Sequence, residues 1–460
     1  MLAVVLAAGA VGRLDSVGSA HVRAVRSSRH EAAVFATPRP ARADPAAYVS
    51  GRPAPAATIR HAAVRITATR TANESGHWLA AWTAAPQAPV SGNLSGRGFD
   101  DQTLRQIAFS SAGGSEVRAR LSNTFGARPL DVGRASVGIQ GAGARLAPGS
   151  IRALTFAGRA SVLIPPGAEV LSDPIRLTVR PLAHIAISLF LPVATGPATE
   201  HAQARQVNFV ASGNRALAGG PRGFGRQTQS WYFLAGVDVL ARARYLGAVV
   251  ALGDSITDGV GAPLNANARW PNDLTRRLAG LHGSTLAVAD AGIGGNRVLN
   301  NSGCCGVSAA VRFSRDVAAQ SGVRDVILLE GINDIGFSQS HNPDNAPHTN
   351  VSALQIVDGY EKIITMAHAA GLRIFGATLT PFRGARYWTP PGEAKREAVN
   401  RWITTSGAFD GVIDFARTVA QPGHPERFRP AFDSGDHLHP NAAGYQAMAD
   451  VINLAMLLRR

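Results

Sequence analysis

From Ala248 onward, short apolar runs suited to buried strands alternate with longer segments of helical period, and this constrains the fold more than any other feature. Residues 248–252, 286–289, 326–329 and 373–379 read as strands. Residues 270–281, 352–370 and 444–458 carry helical periodicity, the second stopping at Gly371. Strands apolar on both faces need cover on both faces, so the alternation predicts an α/β/α three-layer domain around a parallel sheet. In such sheets reactive groups collect beyond the carboxyl ends of the strands.

The texture upstream is different. Residues 104–109, 117–121 and 175–179 alternate apolar and polar side chains, and 185–191 reads as a buried strand. Gly113-Gly114, Pro148-Gly149, Pro165-Pro166-Gly167 and Gly219-Gly220-Pro221 punctuate them. This pattern predicts an antiparallel β-sandwich-like domain. Residues 1–11 resemble the apolar core of a secretory signal, with Gly18-Ser19-Ala20 as a cleavage site, although no basic residues precede it. Residues 21 to 75 are rich in Ala, Arg and Pro and read as a linker. The expected division is therefore 1–75 signal-like segment and linker, 76–245 β-rich domain and 246–460 α/β domain, in a secreted or periplasmic protein without an integral membrane span.

The net charge of +15 rests almost wholly on arginine, since Lys362 and Lys395 are the sole lysines. The arginines are scattered and form no run interleaved with aromatics, so no nucleic-acid partner is expected. Cys304 and Cys305 are the sole cysteines. They are too few for a zinc site or a disulfide framework. Two plain thiols in a loop of no catalytic importance is the expected reading, and a vicinal disulfide is the alternative.

Four short motifs carry chemistry. Gly253-Asp254-Ser255 follows the first apolar strand directly, which is where a hydroxyl can be presented. Seen alone it would be ordinary turn chemistry. The run 291–296 (Ala-Gly-Ile-Gly-Gly-Asn) ends the second strand, and its glycines suit a loop that aims backbone N–H groups at a developing oxyanion. The third strand ends in Gly331-Ile332-Asn333-Asp334, where Asn333 offers a side-chain donor and Asp334 holds the loop. Asp436 and His439 lie three residues apart before the last helix, so one segment can present an imidazole and brace it. His437 is a competing base one residue from Asp436. Asp436, His437 and His439 make a poor metal set, lacking a fourth ligand nearby.

In this order, and each after a strand, the blocks resemble those of the SGNH (GDSL-type) hydrolase family. Segments 81–87, 117–126 and 230–233 are similar to the β-rich domain that precedes the catalytic domain in secreted members. The resemblance implies an esterase with Ser255 as nucleophile, His439 as base and Asp436 as its orienting acid. It implies an oxyanion hole from Ser255, Gly295 and Asn333, with no metal and no organic cofactor. One departure is Asp290-Ala291-Gly292, where many members carry an asparagine.

The implied reaction is hydrolysis of small acyl or acetyl esters through an acyl-enzyme, the partner being a small-molecule or polysaccharide ester. Lipid-ester hydrolysis, acyl transfer, and a carbohydrate-binding protein whose β-rich domain anchors the sugar beside an inactive hydrolase domain are the alternatives. Trp270, Tyr387 and Trp388 could line a substrate site or pack a core. Acyl length, alcohol moiety and oligomeric state are not read from the sequence.

Overall fold

The computed structural model describes residues 76–459. The signal-like segment, its cleavage site and the linker lie outside the described residues. The described residues fall within one compact unit.

The parallel sheet has five strands, β1 (Tyr245–Gly253), β2 (Thr285–Gly292), β3 (Val323–Leu329), β4 (Arg373–Ala377) and β5 (Gly411–Ile413), in the order β2-β1-β3-β4-β5. Residues 246–253 of β1 are almost entirely buried because layers cover both faces. The helices include the short α1 (Ser255–Asp258) and the longer α2 (Trp270–Ala279), α3 (Ala353–Ala369), α4 (Pro390–Thr405) and α5 (Ala442–Val451). Helix α3 begins where the sequence predicts: the Ser352 hydroxyl accepts from the Gln355 N–H, and the Gln355 side chain accepts from the Ser352 N–H. It ends before Gly371, whose φ of 73° is costly for other residues. The helix predicted over 444–458 is instead two helices, Ala442–Val451 and Leu454–Leu458. Asn453 breaks it by capping the second, its side chain accepting from the Ala455 N–H. Among the described residues, no helix is long and apolar enough to cross a membrane.

The upstream part is antiparallel, as its alternation implies. One sheet joins His77–Thr83, Leu234–Ala241, Gly114–Ser122 and Glu169–Leu171, with Ile175–Val179 also paired to Gly114–Ser122. The other has six strands, with Gln102–Phe109 between Asn208–Ser212 and His184–Leu191. Gln102–Phe109 is buried on both faces, where alternation would leave one face wet. Arg105 makes this tolerable: its guanidinium donates to the Ser188 hydroxyl and to the Ala144 and Ala218 carbonyls, and stacks 4.0 Å from the Phe224 ring.

The two sheet systems share a boundary. Strand His77–Thr83 packs on β2, and the Thr83 hydroxyl donates to the Asp290 carbonyl at 2.7 Å. Ala248 of β1 and Ala287 of β2 belong to the apolar core of the antiparallel layer, and Ala80 belongs to that of the parallel layer.

Trp270 is fully buried against Phe415, at a centroid separation of 5.4 Å, so the core alternative holds for this tryptophan. Trp270→Ala should cost about 3–5 kcal/mol of folding stability, the usual toll of emptying a large aromatic site. Urea unfolding would measure it, and a loss under about 1 kcal/mol would contradict the packing.

Candidate active site

Each motif sits at the carboxyl end of a parallel strand, or in the loop that returns to that end. Gly253 closes β1 and Asp254 caps α1, one of its carboxylate oxygens accepting from the Ile256 N–H at 2.9 Å. This cap fixes the sharp turn from strand to helix, and Ser255 becomes the first residue of α1. No protein acceptor faces its N–H among the described residues, as expected at a helix start.

The Ser255 hydroxyl lies 2.8 Å from His439 Nε2. On the far side of the ring, Nδ1 lies 2.6 Å from Asp436 Oδ2. The other Asp436 oxygen accepts from the N–H groups of Leu438 and His439 and from the Ser434 hydroxyl. Partial burial raises the cost of this carboxylate, but the bonds from His439 outweigh it and hold Asp436 well below the usual aspartate range. An ionised Asp436 requires a proton on Nδ1, which leaves Nε2 free to accept from Ser255. His437 takes no part in this relay: its ring pairs with Asp433 at 2.6 Å and is largely exposed.

Asn333 donates one amide hydrogen to the Asn296 carbonyl at 3.0 Å, and its Oδ1 accepts from the Tyr387 hydroxyl at 3.2 Å. The second amide hydrogen is left for a ligand. The Gly295 N–H is not paired within the chain among the described residues. Gly295 has φ of 74°, and a Cβ there would stand 2.5 Å from Cys305 Sγ and 3.4 Å from the Phe337 ring. A side chain is thus excluded on both conformational and steric grounds. The Asp334 carboxylate accepts from the Val298 and Leu299 N–H groups at 2.8 and 3.0 Å, and so pins the loop after β2. Burial lifts Asp334 to about 6 despite those bonds.

Cys304 and Cys305 are joined in a vicinal disulfide, which corrects the expectation of two plain thiols. Their loop also bears on the site, because Cys305 fills the space behind Gly295 and the Cys305 carbonyl accepts from the Asn296 amide at 2.7 Å. An adjacent cysteine pair gives no sequence signal for either role.

Other contributors were missed from the sequence. Arg312 is completely buried and donates to the Gly253, Ala291 and Asn296 oxygens at 2.9, 2.6 and 2.9 Å. It stood among many scattered arginines with no motif around it. Tyr387 was considered for substrate contact, whereas its hydroxyl braces Asn333. Trp388 is half-buried, with the Arg383 guanidinium 5.4 Å above its ring.

Asp290 accepts from the Gly292 N–H at 2.9 Å and lies 3.7 Å from Arg269. Burial raises it to about 6, Arg269 opposing and Asp258 reinforcing the shift. A carboxyl raised on folding stabilises fully below its ordinary value near 4, and that contribution is lost as pH rises through about 6.

Residues 251–447 match the family model described as the GDSL-like lipase/acylhydrolase family. A comparison with curated proteins finds no match. Among solved structures, the chain is similar to a GDSL-like lipase from Bacteroides thetaiotaomicron, at 17% identity and a TM-score of 0.35, over 46% of this chain and 88% of that one. It is similar to a member of the lipolytic G-D-S-L family from Veillonella parvula, at 18% identity and a TM-score of 0.34, over 44% and 94%. An acetyl xylan esterase, AlAXEase, matches at 18% identity and a TM-score of 0.35, over 46% and 100%.

Asp290→Asn keeps the acceptor for Gly292 but does not titrate. Its melting temperature should therefore fall less than that of the wild type between pH 4 and 6 in thermal denaturation. Parallel curves for the two proteins would refute the assignment.

Proposed function

We propose that this chain, whose residues 251–447 match the model of the GDSL-like lipase/acylhydrolase family, hydrolyses esters of short acyl groups by way of an acyl-serine at Ser255. The observation that carries the reading is the unbroken relay from Ser255 through His439 to Asp436, at 2.8 and 2.6 Å. A serine hydroxyl is a weak nucleophile until a base takes its proton as it attacks, and His439 Nε2 is within reach to do so. The Asp436 carboxylate then stabilises the imidazolium. The carbonyl carbon becomes tetrahedral and its oxygen gains charge. Ser255 N–H, Gly295 N–H and the spare Asn333 amide hydrogen are the donors proposed to hold it, and they need no rearrangement at that moment. His439 returns the proton to the leaving alcohol. Water, deprotonated by the same imidazole, releases the acid and regenerates Ser255.

Phe337 and Cys305 stand against Gly295, Tyr387 stands against Asn333, and the two aromatic rings lie 6.3 Å apart. The proposed substrates are acetyl or other small acyl esters, those of carbohydrates included. We also propose that residues 76–245 act as an accessory layer that shapes the site. The Cys304–Cys305 disulfide supports an oxidising, exported setting.

Ser255→Ala should abolish hydrolysis of p-nitrophenyl acetate while the protein stays folded; wild-type turnover in the variant would end the proposal. In a p-nitrophenyl series from acetate to palmitate, the short esters should be cleaved fastest, and a preference for palmitate would favour the lipid-ester alternative. Asn333→Ala removes one of three donors and should lower kcat about 10²–10³-fold. A change below threefold would take Asn333 out of the oxyanion hole.

A further inference from the structure

His201 lies in the antiparallel layer, on the short strand Glu200–His201 paired with Trp231–Tyr232, yet its ring points at the catalytic loops. The side chain is 4% exposed. Nδ1 is 3.0 Å from the Ala85 carbonyl, and Nε2 is 3.0 Å from Asp258 Oδ1. A carbonyl only accepts, so Nδ1 carries a hydrogen. With Asp258 ionised, Nε2 carries one too, and the ring is an imidazolium.

Asp258 ends α1, three residues after the nucleophile. Its second oxygen accepts from the Gly294 N–H at 3.0 Å. The same turn is fastened beyond Gly295, where the Asn296 N–H donates to the Ile293 carbonyl at 3.1 Å and the Asn296 amide to the Cys305 and Val307 carbonyls. With both neighbours tied, the Gly295 N–H is the donor of this turn left free.

We propose that His201 is a positioning residue for the oxyanion hole: a buried imidazolium supplied by the antiparallel layer, which orients Asp258 and through it holds the Gly294–Gly295 turn. This rests on the ester-hydrolase reading given above. It adds to that reading a residue more than 50 positions upstream of the nucleophile and in the other layer.

The electrostatic surroundings fit the role. Burial works against a charged ring, but the Asp258 charge and the hydrogen bonds to Asp258 and Ala85 outweigh it and raise His201 above an ordinary histidine. The groups facing this pair are few. Arg269 donates to the Asp258 and Ala204 carbonyls and opposes the charge on His201, while Asp290 lies beyond Arg269. Glu200, on the same strand, accepts from the Ser95 hydroxyl, and the neutral Trp231 ring lies 5.4 Å from the imidazole. The charged ring is therefore favoured to higher pH than in an ordinary histidine, and its hold on Asp258 weakens as pH rises through the raised value.

The test is steady-state hydrolysis of p-nitrophenyl acetate by His201→Phe, His201→Gln, Asp258→Asn and the His201→Gln/Asp258→Asn double variant, each checked by circular dichroism. A displaced donor loses stabilisation of the transition state more than of the bound ester. We expect kcat for His201→Phe to fall about 10- to 100-fold with KM within about twofold of wild type. His201→Gln, which still donates to Asp258, should recover part of that loss. It should also lack the decline in kcat expected of the wild type as pH rises through the raised His201 value. The double variant should be no slower than the slower single variant, because both substitutions cut one chain of contacts. Folded His201 variants at wild-type kcat would overturn the proposal, as would multiplicative losses in the double variant. Should His201→Phe not fold, His201→Gln and Asp258→Asn decide alone, by their pH profiles and their non-additivity. A wild type without Ser255-dependent hydrolysis would instead overturn the esterase reading, so the two failures are distinct.

Discussion

The guanidinium of Arg312 is the contact on which the catalytic end of the sheet depends. It lies with no exposed side-chain surface beneath the carboxyl ends of β1 and β2. Those ends carry the nucleophile turn and the proposed oxyanion turn. A strand that stops inside a protein leaves carbonyls without ladder partners, and buried carbonyls without partners are costly. Arg312 donates to two carbonyls there, those of Gly253, which also accepts from the Ile293 N–H, and Ala291, and it reaches the Asn296 side chain as well. Its planar fork sets the spacing of the two turns, which a flexible ammonium would not. Burying a charge this deeply requires compensation, and the Asp316 carboxylate lies 3.4 Å away.

Around that clamp, buried carboxyls serve as staples. Asp254 caps the helix that begins at Ser255, Asp334 pins the loop after β2, and Asp258 holds Gly294. Burial and, for Glu330, the neighbouring Asp254 push Asp254 and Glu330 above the ordinary acid range. Asp436 behaves oppositely. It is half-exposed and accepts from four donors, so it stays ionised to lower pH than a free aspartate. The acid beside the histidine and the acids beneath the turns thus share a residue type but differ in environment. That difference separates stabilising an imidazolium from holding a backbone.

Local pattern made four of the five parallel strands legible, because burial on both faces leaves uninterrupted apolar runs, whereas the edge strand β5 is three residues long with Val412 exposed and leaves no such run. The motif order made Ser255, Gly295, Asn333, Asp436 and His439 legible, since each follows a strand or precedes the last helix. What the sequence hid is non-local. Arg312 is one arginine in an arginine-rich chain, and nothing in its neighbourhood marks it as buried. His201 meets Asp258 across the boundary of two layers, which no periodicity reveals. The break at Asn453 turned on a single capping side chain inside an otherwise helical pattern. Gln102–Phe109 looked half-wet because Arg105 and Gln106 are polar, yet both are buried and satisfied across the sheet. A polar residue signals exposure only when the fold offers it no partner.

These non-local ties bear on why two sheet systems share one compact unit. The proposed oxyanion turn comes from a loop, and a free loop samples many conformations. The antiparallel layer restrains it from two directions. His201 acts on it through Asp258, and the Gln87 side chain donates to the Cys304 carbonyl at 3.3 Å, holding the disulfide loop behind Gly295. Gln87 is itself fixed, its side-chain oxygen accepting from the Ala202 N–H one residue from His201. Both restraints therefore descend from the same segment of the antiparallel layer. A detachable binding module would need neither a buried charge aimed outward nor apolar side chains shared with its neighbour's core. Here both are present, which supports the proposal that the layer shapes the Ser255 site.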